Sequence, residues 1–433
     1  MLRVEDFTGA TGGWRGLLPR AEFNVDKAVE VVRPILDDVA LRGEAALREY
    51  SERFDGVVPD RIRVPQDALE RAAAQLDPLL RRSFELSIAR RSDVARRLEL
   101  SADEPAAKLA EGAVVGLRNI PVSRVGLYVP GGLAPLASSV IMNVVPAQVA
   151  GVESIAVASP PQAEFDGLPH PNILALCHML GVDEVFAVGG AQAIGMLAHG
   201  VEGLCEPVDL ISGPGNIYVV AAKRAVRGLV GIDSEAGPTE IAIIADDHAN
   251  AEYVAADLIS QAEHDPMAAS VLITDSPQLA ERVRQAVDRQ VVGQLHEERI
   301  RVSLTGRQSA IVVVRDIDQA VEVADAYGAE HLEIQTVDAA AVAARIRNAG
   351  AIFVGGHSPV SLGDYSAGST HVLPTAGCAC HSSGLTVRSF MKTVHVIDYS
   401  SEALAEIAAD VERFALAERL PGHAAAITVR SRA

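Results

Sequence analysis

Two hydrophobic rhythms divide the chain. Between Asn24 and about Arg97, apolar positions recur at i, i+3 and i+4 with charged residues between them, as in VDKAVEVVRPILDDVALRG, EAALREYSERF and QDALERAAAQLDPLL. That spacing predicts amphipathic helices. From Arg124 the pattern changes to short apolar runs, each closed by Gly or Pro and followed by a helical stretch. VGLYV leads into PGG, SIAVAS into PP, EVFAV into GGAQ and VDLIS into GPGN. Strand, turn and helix in repetition predict a parallel sheet with crossover helices. A second series starts near Glu240, where EIAIIAD, VLIT, AIVVV, HLEIQ and AIFVGG alternate with helical segments. Asn250 and Ser276-Pro277 are placed to start two of those helices. The tail adds one amphipathic segment, SSEALAEIAADVERFALAERL, which Pro421-Gly422 stops.

These patterns predict an α/β protein with two open Rossmann-like parallel-sheet domains, an N-terminal arm and an α-rich C-terminal tail domain. The arm covers 1–22. A larger α/β domain is expected from 23–126 and 240–384, a second Rossmann-like domain from 127–239, and the tail from 385–433.

Composition narrows the function. In 433 residues, 49% are hydrophobic and 22% charged, which excludes a disordered chain. Aromatics are only 4%, so the layers are built from small aliphatic side chains. The 57 acidic residues outnumber the 38 basic ones, for a net charge of −19. Such a surface repels phosphate backbones and anionic lipids, and no nucleic-acid or membrane partner is expected. No apolar run is long enough to span a bilayer. The N-terminus, MLRVEDFTGATGGW, is acidic where a secretion signal is basic, so a cytoplasmic protein is expected. Four cysteines (177, 205, 378, 380) are too few for a disulfide framework.

Several polar groups stand where chemistry is done. Gln261 and His264, three apart in LISQAEHDP, leave one face of a helix end. Glu330-His331 sits between a helix closed by Gly328 and the strand HLEIQ. A carboxylate and an imidazole there can share proton transfers on one reacting group, although an exposed loop pair reads the same way. The loop GGHSPVSLGDYSAGSTHVLPT carries His357, Asp364 and His371 among turn-forming residues. His423 follows a helix in ERLPGHAAA. Gln261, His264, Asp364 and His423 offer the N and O donors that Zn²⁺ accepts, but at separations unlike any local zinc motif. GGAQ and SGPGN open helices after strands, which suits a pyrophosphate or simply makes a tight turn. The segment Gly213-Pro214-Gly215 lacks the third glycine of the dinucleotide fingerprint, since Tyr218 occupies that position. No cysteine stands out as a nucleophile.

As a set, these residues resemble the histidinol dehydrogenase family. The match runs through most of the chain. It is strongest in VGLYVPGGLAPLASSVIMNVVPAQVAGV, ISGPGNIYVVAAKR, SEAGPTEIAIIAD, DLISQAEHDP, AEHLEI, GDYSAGSTHVLPT, SGLTVRSFMK and PGHAAA, in family order and spacing. The resemblance implies oxidation of L-histidinol through L-histidinal to L-histidine with two NAD⁺, the last steps of histidine biosynthesis, with one Zn²⁺ per subunit. It implies zinc ligands at Gln261, His264, Asp364 and His423 and an acid–base pair at Glu330 and His331. Implied substrate contacts are Thr239, Gln261, His264, His331, Asp364, His371, Glu418 and His423, with Thr239 standing where Ser is common. Implied NAD⁺ contacts are Tyr128, Gln192 and Asn216. The family's intertwined homodimer implies that Glu418 and His423 act in the partner's site. Thr370 and Cys380 depart from the family pattern and bear on the hydrogen bonding of the 364–384 loop. The alternatives are an NAD-dependent dehydrogenase of another amino alcohol, a zinc hydrolase that needs no NAD⁺, and a two-lobed binding protein without chemistry.

Overall fold

The computed structural model describes residues 1–21, 25–100, 105–131, 135–235 and 237–431. The arm boundary at 22/23, Asn24 and Gly132 of the PGG turn lie outside the described residues. Both parallel sheets expected from the alternating patterns are present. One has six strands in the order Arg3–Asp6, Ala310–Val313, Ala269–Thr274, Glu240–Ala245, His331–Gln335, Ala351–Val354, all parallel. The other has five, in the order Glu184–Ala187, Ser154–Ser159, Arg124–Tyr128, Leu210–Ser212, Gly231–Ile232. Every residue of Glu240–Ala245 is buried, as is every residue of His331–Gln335. Helices covering both faces explain why these strands are continuous apolar runs rather than alternating ones.

Three features differ from the sequence reading. The arm is not merely extended: Arg3–Asp6 is the edge strand of the larger sheet, and Leu2 and Phe7 on either side are buried. Its charged side chains suit an edge, where bare strands invite further pairing. The helices that begin with Val25–Arg42 were grouped with the larger sheet. They instead bury their apolar faces on the smaller one, where Val32, Leu36, Val39 and Leu47 share a core with Ile194, Leu197 and Val219. Each such fully buried side chain contributes roughly 1.5–3 kcal/mol. The tail is α-rich as expected but also holds a strand that its pattern does not show. It opens with the strand Met391–Tyr399, which pairs antiparallel with Ala113–Pro121 and through it with Ala106–Ala110. The helices Ser401–Ala417 and Pro421–Ser431 follow. Among the described residues, no helix is long and apolar enough to cross a membrane.

Candidate active site

The site grows from the N-terminal ends of two neighbouring strands in the larger sheet. Helix Ala251–Ala262 starts on Asn250, whose side chain accepts the Glu252 N–H, and runs back antiparallel to the strands. It delivers Gln261 to the strand starts, where that side chain is 1% exposed. Gln261 Nε2 donates to Thr239 Oγ1 (2.5 Å), and Thr239 Oγ1 donates to Glu330 Oε2 (2.5 Å). The Glu240 amide donates to the same carboxylate oxygen (3.0 Å).

Glu330 and His331 are placed by two local events. Gly328 ends helix Ile317–Tyr327 in the left-handed conformation (φ 57°), and the strand His331–Gln335 begins at once. Both side chains are buried. Burial pushes the Glu330 carboxyl well above the ordinary range, against the lowering by its Thr239 and Glu240 hydrogen bonds. Burial pushes the His331 imidazole down to about 4. His331 Nδ1 lies 3.6 Å from Glu330 Oε2, yet both shifts favour the neutral forms, so this contact is not an ion pair. Neither ring nitrogen of His331 has a hydrogen-bond partner among the described residues. A neutral, unengaged imidazole is a proton acceptor in waiting.

The third group comes from the Gly-rich loop. Asp364 sits on helix Val360–Tyr365 with Oδ2 4.0 Å from His264 Nε2 and Oδ1 3.9 Å from His371 Nδ1. His371 Nδ1 is also 3.2 Å from the Asp364 carbonyl, and its Nε2 is 3.2 Å from Ser139 Oγ. Burial lowers the pKa of His371.

Ser139 opens a polar chain that sequence reasoning did not find. Asn143 donates to the Ser139 carbonyl (2.8 Å), and Ser212 Oγ donates to Asn143 Oδ1 (2.6 Å). Ser212 Oγ and the Gly213 amide both meet Asp233, which forms a buried ion pair with Lys223. The signal was available: Asn143 and Lys223 are polar interruptions in the helices SSVIMNVVPAQVA and IYVVAAKRAV. Gly213 is a requirement here. Its φ is 128°, and a Cβ would stand 2.1 Å from the Tyr128 carbonyl oxygen.

The remaining expected residues divide. Tyr128 is buried, its hydroxyl accepts the Gly190 amide (3.1 Å), and burial raises it to about 12. Gln192 is 1% exposed, and both amide atoms lack a partner. Asn216 caps helix Ile217–Val226, accepting from the Tyr218 and Val219 amides. Glu418 and His423 are exposed on the tail, and no hydrogen bond or ion pair joins them to the other site residues among the described ones. His357 is exposed beyond the opposite ends of the strands, beside Tyr253. Thr370 is buried, and its hydroxyl accepts the Val372 amide two residues on. All four cysteines are free; burial raises Cys177 to about 12 and also raises Cys205 and Cys378. Among the described residues, no three His, Cys, Asp or Glu side chains of one chain converge as a metal site.

Fold and site define an α/β enzyme built on two parallel sheets, with a buried carboxyl–imidazole pair beside a cluster of N and O donors. The histidinol dehydrogenase family model matches residues 18–431. A histidinol dehydrogenase of Cutibacterium acnes is 66% identical over 436 residues, covering 99% of each chain. One of Thermobifida fusca is 60% identical over 98% of this chain and 96% of its own. The crystal structure of histidinol dehydrogenase from Elizabethkingia anophelis superposes with a TM-score of 0.93 at 30% identity, over 100% of this chain and 98% of that one. This chain belongs to the histidinol dehydrogenase family of oxidoreductases.

Proposed function

We propose that the protein oxidises L-histidinol through L-histidinal to L-histidine with two NAD⁺ and one Zn²⁺ per subunit, closing histidine biosynthesis in the cytoplasm. The observation that carries this reading is the pairing of an unengaged neutral His331 with Glu330, one side chain away from Thr239 and Gln261.

The donor set suits zinc. Ligands bound about 2.0–2.2 Å from the ion stand roughly 3–4 Å from one another, and His264 and Asp364 face each other at 4.0 Å. Gln261 spends its Nε2 on Thr239, which leaves its carbonyl oxygen for a metal. His423 completes the four ligands from a second copy. The tail fits that role: Ile397, Phe414 and Val429 are 71%, 68% and 66% exposed, an apolar surface that a homodimer would cover. Glu418 of the same tail would then reach the partner's substrate. Gln261, His264, Asp364 and the second copy's His423 would hold the zinc, whose Lewis acidity would help fix the substrate.

The chain's own groups carry the protons. His331 takes the hydroxyl proton as the carbinol hydrogen leaves as hydride for NAD⁺. A cation held beside it by Gln261, His264 and Asp364 would favour the Glu330 carboxylate against the burial that raises its pKa; in that form Glu330 takes a proton from water as that water adds to the aldehyde carbon, and the hydrate's hydrogen then leaves as hydride to a second NAD⁺. No cysteine is used, in keeping with the burial that raises Cys177, Cys205 and Cys378. Tyr128, Gln192 and Asn216 would hold NAD⁺ at the strand tips of the smaller sheet. His371, with Asp364 on its Nδ1 side, would contact the substrate.

Two NADH formed per histidinol consumed is the expected stoichiometry. His264→Asn should lower zinc content and turnover together. Full zinc retention would remove His264 from the ligand set, and turnover without NAD⁺ would favour a hydrolase. A panel of amino alcohols tests the substrate side chain.

A further inference from the structure

One half-buried carboxylate outside the proposed proton chemistry has a buried inner oxygen with no hydrogen-bond partner among the described residues. Asp55 ends helix Glu44–Asp55, and its Oδ2 is buried without a hydrogen-bond partner. Its Oδ1 lies against Gly189, where a Cβ would stand 3.2 Å from that oxygen and 2.8 Å from the Pro160 ring. Gly189 precedes helix Gly190–His199. Gln192 in its first turn leaves both amide atoms free, and its Oε1 folds back to 2.8 Å from where a Gly190 Cβ would be. Ser159, at the tip of its strand, is fully buried, and its hydroxyl has no partner among the described residues.

These free groups call for a ligand that brings both donors and acceptors. Burial raises the Asp55 carboxyl to about 6, so it is an anion at neutral pH, and no ion pair neutralises it among the described residues. Such an acceptor is suited to hydroxyls and hostile to phosphate.

Strand order says which part of the cofactor lies there. Strand Glu184–Ala187, which leads into the Gly189 turn, is three places from Leu210–Ser212. That is about 14 Å at ordinary strand spacing. Ser212 connects through Asn143 and Ser139 to His371 beside the reacting groups. A nicotinamide at that end puts the adenosine half of a dinucleotide near Asp55.

We propose that Asp55 accepts hydrogen bonds from the adenosine ribose hydroxyls of NAD⁺ and repels a 2′-phosphate, and is therefore the residue that selects NAD⁺ over NADP⁺. This rests on the NAD⁺ dependence proposed above.

Calorimetric titration of the zinc-loaded enzyme, without histidinol, tests it. Wild type should bind NAD⁺ at least about tenfold more tightly than NADP⁺. Asp55→Asn should weaken NAD⁺ by roughly 10–100-fold, the usual cost of losing a charged acceptor, and should close most of the gap to NADP⁺. Asp55→Ser, smaller and still polar, repeats the measurement if the amide disturbs packing. An unchanged NAD⁺ to NADP⁺ ratio in a folded variant overturns the assignment. Failure of wild type to bind NAD⁺ overturns the cofactor reading itself, before Asp55 is in question.

Discussion

The two parallel sheets present opposite ends to chemistry. In the five-stranded sheet the polar groups gather at the C-terminal tips of the strands: Tyr128, Ser159, Ser212 and the turns before Gly190 and Ile217. Helix N-termini point there, and their unpaired amides favour anionic or hydroxyl-rich ligands. In the six-stranded sheet the proposed reacting groups sit at the N-terminal ends: Thr239 just before Glu240–Ala245, and Glu330 and His331 at the start of His331–Gln335. Helix C-termini meet that end, and Gln261 and His264 leave one of them. A helix C-terminus carries partial negative charge and favours a cation. In the proposed function two similar folds divide the work by polarity, the dinucleotide at one edge and the metal at the opposite one.

The sharpest way to break this division is at Glu330. Replacing it with Gln keeps the shape and the contacts to Thr239 and Glu240 but removes the base. Aldehyde oxidation should fall by about 10²–10⁴-fold, while alcohol oxidation, assigned to His331, stays measurable. Supplying histidinal and histidinol separately and following NADH distinguishes the two. Equal losses in both halves would remove the separate roles and leave one pair acting jointly.

Much of this arrangement is legible in the sequence, and the gaps have physical reasons. The buried strands read clearly because each is an unbroken apolar run ending at a turn. Helix starts at Asn250, Ser276 and Asn216 read clearly because each is a short polar side chain with a local partner. The three-stranded antiparallel sheet did not, since Met391–Tyr399 is mostly exposed and carries no clean alternation. The packing of Val25–Arg42 on the smaller sheet was equally hidden: amphipathic spacing says that a face is buried, not against what. At the site, residue types were readable but convergence was not. Thr239, Gln261 and Glu330 meet only because two parallel strands and one antiparallel helix share an end. The chain Ser139, Asn143, Ser212 went unseen for the same reason.

A smaller effect sharpens the larger sheet's side of the comparison. His331 is held near 4 in the folded protein, below the ordinary 6.5. Between those values the unfolded chain binds more protons, so stability rises with pH across that window. The contribution is complete above about 6.5, is lost as pH falls toward 4, and changes no further below it. It amounts to roughly 3 kcal/mol if the whole shift is realised. Thermal midpoints of wild type and His331→Asn, measured from pH 7 to 4, should therefore converge as the pH falls. Parallel curves would mean that the imidazole is not held neutral.

The smallest expected effect tests the other sheet. Asn216 accepts both the Tyr218 and Val219 amides, which is what a helix cap does without any ligand. Asn216→Ala should cost about 1 kcal/mol of stability from the lost cap. If Asn216 also holds NAD⁺, the variant should show a raised KM for NAD⁺ that Asn216→Ser, which restores a cap but shortens the side chain, does not repair. Recovery of both stability and KM in the Ser variant would reduce Asn216 to a structural cap. The cofactor edge would then rest on Tyr128, Gln192 and the strand tips, and the first turn of helix Ile217–Val226 would serve the dinucleotide through its backbone alone.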